Sequence, residues 1–175
     1  MNRRLVATIT ASALALGIVA APVAALRPGP DTIVEKAIAL NTSGPYAGAF
    51  DTLIAAVLAA DPAVVETLSG KGQFVVFAPT DAAFAELGLT PENVGTLDQA
   101  FLTDVLLYHV GRGRLNANAV LGSDEIDTLY GESLEQAGGV LTDELGRTAN
   151  IIVVNVSASN GIIHAIDSVV LPYAP

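Results

Sequence analysis

The step Asn160-Gly161 lies between two apolar runs, Ala149 to Val156 and Gly161 to Leu171. Asn-Gly accepts the positive backbone angles of a tight hairpin, so the turn is placed over Ala158 to Gly161. The flanking runs are predicted to pair as antiparallel strands, and both are apolar enough to be central in a sheet. Upstream the period differs. Leu97, Phe101, Leu102, Val105, Leu106 and Tyr108 recur at helical spacing, whereas apolar residues alternate beyond Gly111. Glu125 to Tyr130 and Gly139 to Thr142 are the other strand candidates, and Asn116 to Leu121 is one helical turn. Helices crowd the first half and strands the second, which makes the chain α+β rather than alternating α/β.

Helix punctuation is clear in the first half. Thr32 and Glu35 form a capping box for a helix reaching about Leu40. Asn41 to Gly48 is loop chemistry. Phe50, Leu53, Ile54, Val57 and Leu58 form one apolar helical face. Asp61-Pro62 ends that helix and starts another, which carries Val65 and Leu68. Gln73 to Phe77 is a short strand. Thr80 is an N-cap for a helix over Asp81 to Leu87, with Asp81 at its positive end. Thr90-Pro91-Glu92 opens a further turn, and Leu97 to His109 is the next helix.

At 175 residues the chain suits one domain. Arg3 and Arg4, the apolar stretch Val6 to Ala21 and the small residues Val23 to Ala25 read as a secretory signal over residues 1–25. The stretch is shorter than the ~20 residues that span a bilayer. Residues 26–30 form a Pro/Gly linker, and 31–173 the folded domain. Cleavage near Ala25 leaves 6 basic residues against 18 acidic ones, a formal charge of −12. Such a surface repels nucleic acid and anionic membranes. No second long apolar run follows, so no membrane span is expected in the mature chain. Its expected place is secreted, periplasmic or on the cell surface. The absence of cysteine excludes disulfides and thiolate chemistry.

The polar residues of the apolar segments read as architecture. His109 falls by helical angle between Leu102 and Val105. His164 shares a strand face with Ile162, Ile166 and Val170. With no HxxxH or HExxH spacing, neither a metal nor another cofactor is expected. Asp81 is read as a helix cap rather than a catalytic acid. Asp167, in phase with Ile163, Ala165 and Val169, must be bonded to backbone amides or a hydroxyl. Ser123 to Asp127 lacks the glycine and the final glutamate of a calcium loop. Arg112 and Arg114 are the close basic pair. Of the sequons at Asn41 and Asn155, only Asn41 is expected to be accessible, because Asn155 falls in a predicted buried strand. GxSxG, P-loop and GxGxxG are all missing, so no enzyme activity is expected.

Three blocks carry a family resemblance. Phe74-Val75-Val76-Phe77-Ala78-Pro79-Thr80-Asp81-Ala82-Ala83-Phe84 resembles the first signature of fasciclin-type domains. Asn160-Gly161-Ile162-Ile163-His164-Ala165-Ile166-Asp167-Ser168-Val169-Val170-Leu171-Pro172 resembles the second, and Leu106-Leu107-Tyr108-His109-Val110 the tyrosine-histidine motif between them. The resemblance covers about Asp31 to Pro172. The resemblance implies a wedge of two β-sheets, about seven strands, with helices packed along one side. It makes Thr80, Asp81, His164 and Asp167 structural positions of the motifs. It also implies adhesion-type binding to a protein, glycan or matrix partner, with Tyr108 and His109 and the flanking Leu106 and Leu107 as the partner-binding residues. The alternative it implies is a carrier for an apolar small molecule such as a carotenoid or lipid. Asn41 to Gly48 is longer than the family pattern and Gln136 to Ala149 more irregular, so both are places to look for specificity.

Overall fold

Thr32 opens the first helix, α1 (Ile33–Thr42). Its hydroxyl accepts from the Glu35 amide at 3.4 Å, and the Glu35 carboxylate accepts from the Thr32 amide at 2.8 Å. This reciprocal pair closes two amides that a helix start leaves open. Next come α2 (Asp51–Ala59) and α3 (Pro62–Ser69), the latter capped by Asp61 through the Ala63 amide at 2.8 Å. The remaining elements are β1 (Phe74–Pro79), α4 (Asp81–Ala85), α5 (Gln99–Tyr108), β2 (Val110–Arg112), α6 (Ala117–Leu121), β3 (Glu125–Asp127), β4 (Ser133–Ala137), β5 (Val140–Thr142), β6 (Thr148–Ala158) and β7 (Gly161–Ile166). They are those of a computed structural model that describes residues 31–174. The signal and linker expected over residues 1–30 lie outside the described residues.

The strands run in the order β2-β1-β7-β6-β5-β4-β3. Two sheets share β6, and a bridge between Gly111 and Thr128 nearly closes them on each other. The expected α+β wedge of about seven strands, with helices along one side, is the observed architecture. β7 pairs in parallel with β1 and antiparallel with β6, so it is buried at every position. Side chains alternate across it. Ile166 points with Phe77, Leu134 and Leu141 into the interior between the sheets. Ile163 and Ala165 point with Val76 and Ala78 toward the helices.

Several expectations are corrected. The hairpin turn lies where expected, with Ser159 and Asn160 between the paired Ala158 and Gly161, but its backbone angles differ. Neither Asn160 nor Gly161 takes a positive φ. Glycine is required for another reason: a Cβ at 161 would collide with the Phe74 carbonyl of the neighbouring strand. Leu58 is 78% exposed, because α2 buries the narrower stripe Thr52, Leu53 and Ala56. In α3 the buried valine is Val64 rather than Val65. β6 is interrupted by irregularities between Ile151 and Val153 and between Val153 and Val156. Asn155, at φ 62°, turns outward there, so its sequon is exposed rather than buried.

Candidate functional site

α1, α2 and α3 do not close completely over β1 and α5. Between them lies a cavity of about 100 Å³ that opens to solvent. Ala37 and Ile38 of α1 form one wall, Ile54, Val57 and Leu58 of α2 the other, and Val76, Leu106 and His109 the floor. The capping box and Asp61-Pro62 set where these helices start, and thereby which side chains wall the opening. Among the described residues, no polar atom faces the cavity surface. A carbon lining offers water no hydrogen-bond partner. Ile38 and Leu58 stand at the mouth, 47% and 78% exposed.

His109 follows the last turn of α5 and is 3% exposed. Its Nδ1 donates to the Val105 carbonyl at 2.7 Å, and its Nε2 accepts from the Val170 amide at 3.3 Å. Both ring nitrogens are therefore spent on backbone. Burial pushes its pKa down to about 4; the Val105 carbonyl opposes that shift, Arg147 reinforces it, and Asp143 opposes it. Tyr108 points the other way, fully buried between the sheets, with its hydroxyl 3.4 Å from the Ser133 carbonyl and its ring edge-on to Tyr130. Burial pushes its pKa up to about 12. Leu106 is buried and Leu107 half-buried. The four residues expected to meet a partner thus offer no fully exposed side chain.

His164 is fully buried against Phe77, with ring centroids 5.9 Å apart. Its Nε2 donates to the Leu115 carbonyl at 3.1 Å, and its Nδ1 accepts from the Asn155 amide at 3.4 Å. Burial lowers its pKa, partly offset by the Leu115 carbonyl. Thr80 accepts from the Ala83 amide at 3.4 Å and caps α4. Asp81 reaches α2 instead, accepting from the Thr52 amide at 2.8 Å. Asp167 is half-buried and accepts from the amide and the carboxamide of Asn150, at 2.7 and 2.8 Å.

Two groups escaped the sequence reading. Asp143, its side chain fully buried, accepts from the Leu145, Arg147 and Leu171 amides at 2.9–3.0 Å and from Arg147 Nε at 2.9 Å. Arg147 also donates to the Val169 carbonyl at 2.7 Å. With His109 on Val170, three side chains hold three successive residues of the C-terminal segment. The Asp-x-x-Gly-Arg spacing at 143–147 is a turn signal that could have marked this clamp. Asn160 is the second. Its Oδ1 accepts from the Ile33 amide at 2.9 Å, and its Nδ2 donates to the Leu68 and Gly70 carbonyls at 2.6 and 3.0 Å. One carboxamide thereby staples the start of α1 to the end of α3.

A family model for the fasciclin domain matches residues 48–172. Protein sll1483 of Synechocystis sp. is 42% identical over 151 residues, which cover 81% of this chain and 73% of the relative. Immunogenic protein MPB70 of Mycobacterium bovis is 35% identical over 111 residues, 63% of this chain and 55% of that protein. Among solved structures, a FAS1 domain pair from the insect cell adhesion molecule Fasciclin I superposes with a TM-score of 0.56 at 22% identity. The match covers 73% of this chain and 47% of the pair, so the chain spans about half the length of that structure. The chain belongs to the fasciclin domain family.

Proposed function

We propose that this protein is exported through its N-terminal segment and binds a protein, glycan or matrix partner at the cell exterior by adhesion-type contact. The contact surface is the apolar rim of α1 and α2, with Ile38 and Leu58 at its centre. Tyr108 and His109 stand behind it and hold α5 in place. One observation carries this reading: two large aliphatic side chains, 47% and 78% exposed, flank an opening walled by carbon. Membership of the fasciclin family supports the adhesion-type reading. Binding is favoured over catalysis because His109, the ionisable group at the cavity, has both ring nitrogens occupied. The test is a double variant, Ile38→Glu with Leu58→Glu, assayed for retention on immobilised envelope material from the source cells. Loss of retention in a folded variant is expected; retention at wild-type strength refutes the assignment.

A second reading has its own observation. The cavity itself, about 100 Å³, suits one end of an apolar small molecule such as a polyene or acyl chain, with the remainder lying across the mouth. A carrier would leave its source cell loaded. Organic extraction of the purified protein, followed by mass spectrometry, would then return a stoichiometric hydrocarbon-rich compound. Ala37→Trp, which fills the wall, would abolish that loading without affecting contacts made at the rim.

A further inference from the structure

Asn160-Gly161 is chemically labile in an open chain. With no side chain on Gly161, its amide nitrogen reaches the Asn160 carboxamide carbon with little hindrance. We propose that this step is a deamidation site gated by the fold, and that its reaction irreversibly unties α1 from α3, two helices that wall the cavity.

The chemistry needs only water. The Gly161 amide nitrogen, on losing its proton, attacks Cγ of Asn160. The Cγ–Nδ2 bond breaks, and ammonia leaves with the displaced proton. The resulting five-membered succinimide is then opened by water at either carbonyl, giving aspartate or isoaspartate at position 160. Nothing is oxidised or reduced.

The folded state blocks the first step. Asn160 is 5% exposed, and its carboxamide makes the three bonds that join α1 to α3. Its own carbonyl accepts from the Phe74 amide at 3.0 Å. Gly161 is pressed against the Phe74 backbone and the Ile33 side chain. Swinging Cγ onto the Gly161 nitrogen breaks all three side-chain bonds at once. Reaction therefore proceeds from states in which this junction is open.

The product cannot rebuild the junction. An aspartate would direct a carboxylate oxygen at the Leu68 and Gly70 carbonyls, acceptor against acceptor. An isoaspartate adds a main-chain carbon where Gly161 pairs with Ala158 and Phe74. Either product cuts the tie between the start of α1 and the end of α3, and both helices line the cavity. The inference holds whichever occupant the cavity takes.

The test uses the full chain at mildly alkaline pH, in native buffer and in urea. Peptide mass spectrometry follows amide loss at position 160, and an isoaspartyl methyltransferase assay follows the rearranged product. Deamidation is expected to be slower by about tenfold or more in native buffer, as for any process confined to an open state. Equal rates in the two solvents would overturn the gating. Asn160→Asp is expected to lower the urea midpoint and to increase binding of an environment-sensitive naphthalene sulfonate dye. Wild-type midpoint and dye signal in that variant would overturn the untying of α1 from α3. Should the variant not fold, deamidated wild-type protein separated by ion exchange gives the same two readouts.

Discussion

Asp81 caps a helix to which it does not belong: its Oδ1 accepts from the Thr52 amide at 2.8 Å, and its Oδ2 from the Asp51 amide at 3.2 Å. Phe50, at the N-cap position of α2, has no side-chain acceptor to offer. Thr80 meanwhile caps α4. Two adjacent residues thus start two helices, and they fix α2 relative to the end of β1.

Replacing Asp81 by alanine is expected to cost about 1–2 kcal/mol, the upper range for a lost N-cap, because a charged acceptor serves two amides. Asp81→Asn, which keeps one acceptor, should lose about half as much. Urea unfolding monitored by circular dichroism checks both, with an unchanged m-value as the sign that only stability moved.

His109 should make the fold acid-sensitive. Its pKa lies near 4 when folded and near 6.5 when the chain is open. The open chain therefore binds the proton first. The contribution of neutral His109 is complete above pH 6.5 and is lost progressively as pH falls toward 4, on the order of 3 kcal/mol in all. His164, also lowered by burial, acts in the same direction. Urea midpoints measured at several pH values should fall over this window. His109→Gln should flatten the dependence.

The Asp143–Arg147 clamp predicts an asymmetry. Asp143→Ala abandons three backbone amides and a guanidinium, at a cost of about 3 kcal/mol or more. Arg147→Lys keeps the charge but loses the fork that reaches both Asp143 and the Val169 carbonyl, and should cost about 1 kcal/mol. Thermal melts of the two variants should rank in that order.

Gly161→Ala is expected to destabilise by about 3 kcal/mol, because the added methyl meets the unyielding Phe74 strand backbone as well as the Ile33 side chain. A hydrogen-exchange map should show protection lost first along β1 and β7.

Much of the fold was legible in the residues. Thr32/Glu35, Asp61-Pro62 and Thr80 carry their caps locally, so three helix starts could be placed from a few residues each. The strands β2 and β4 were not placed. β2 is three residues long and follows α5 after one intervening residue. In β4 the buried alternation Leu134, Gln136 uses a polar residue, whose carboxamide sits among the Val120 and Ser123 carbonyls and the Gly139 amide. The exposed face of β6 was misplaced because its bulges reset the period of two. The candidate site was the least legible part. A cavity between three helices depends on how far apart they pack, and Asn160 acquires its role from Ile33, Leu68 and Gly70, all distant in the chain.

The parallel pairing of β1 with β7 has a consequence for biosynthesis. The strand that lies between β1 and β6 is delivered after every other strand. A nascent polypeptide issuing from its amino end can pair β1 with β2 and β3 through β6 with one another, but the gap between β1 and β6 stays open until Gly161 to Ile166 arrives. Its arrival locks the two groups of strands into one sheet.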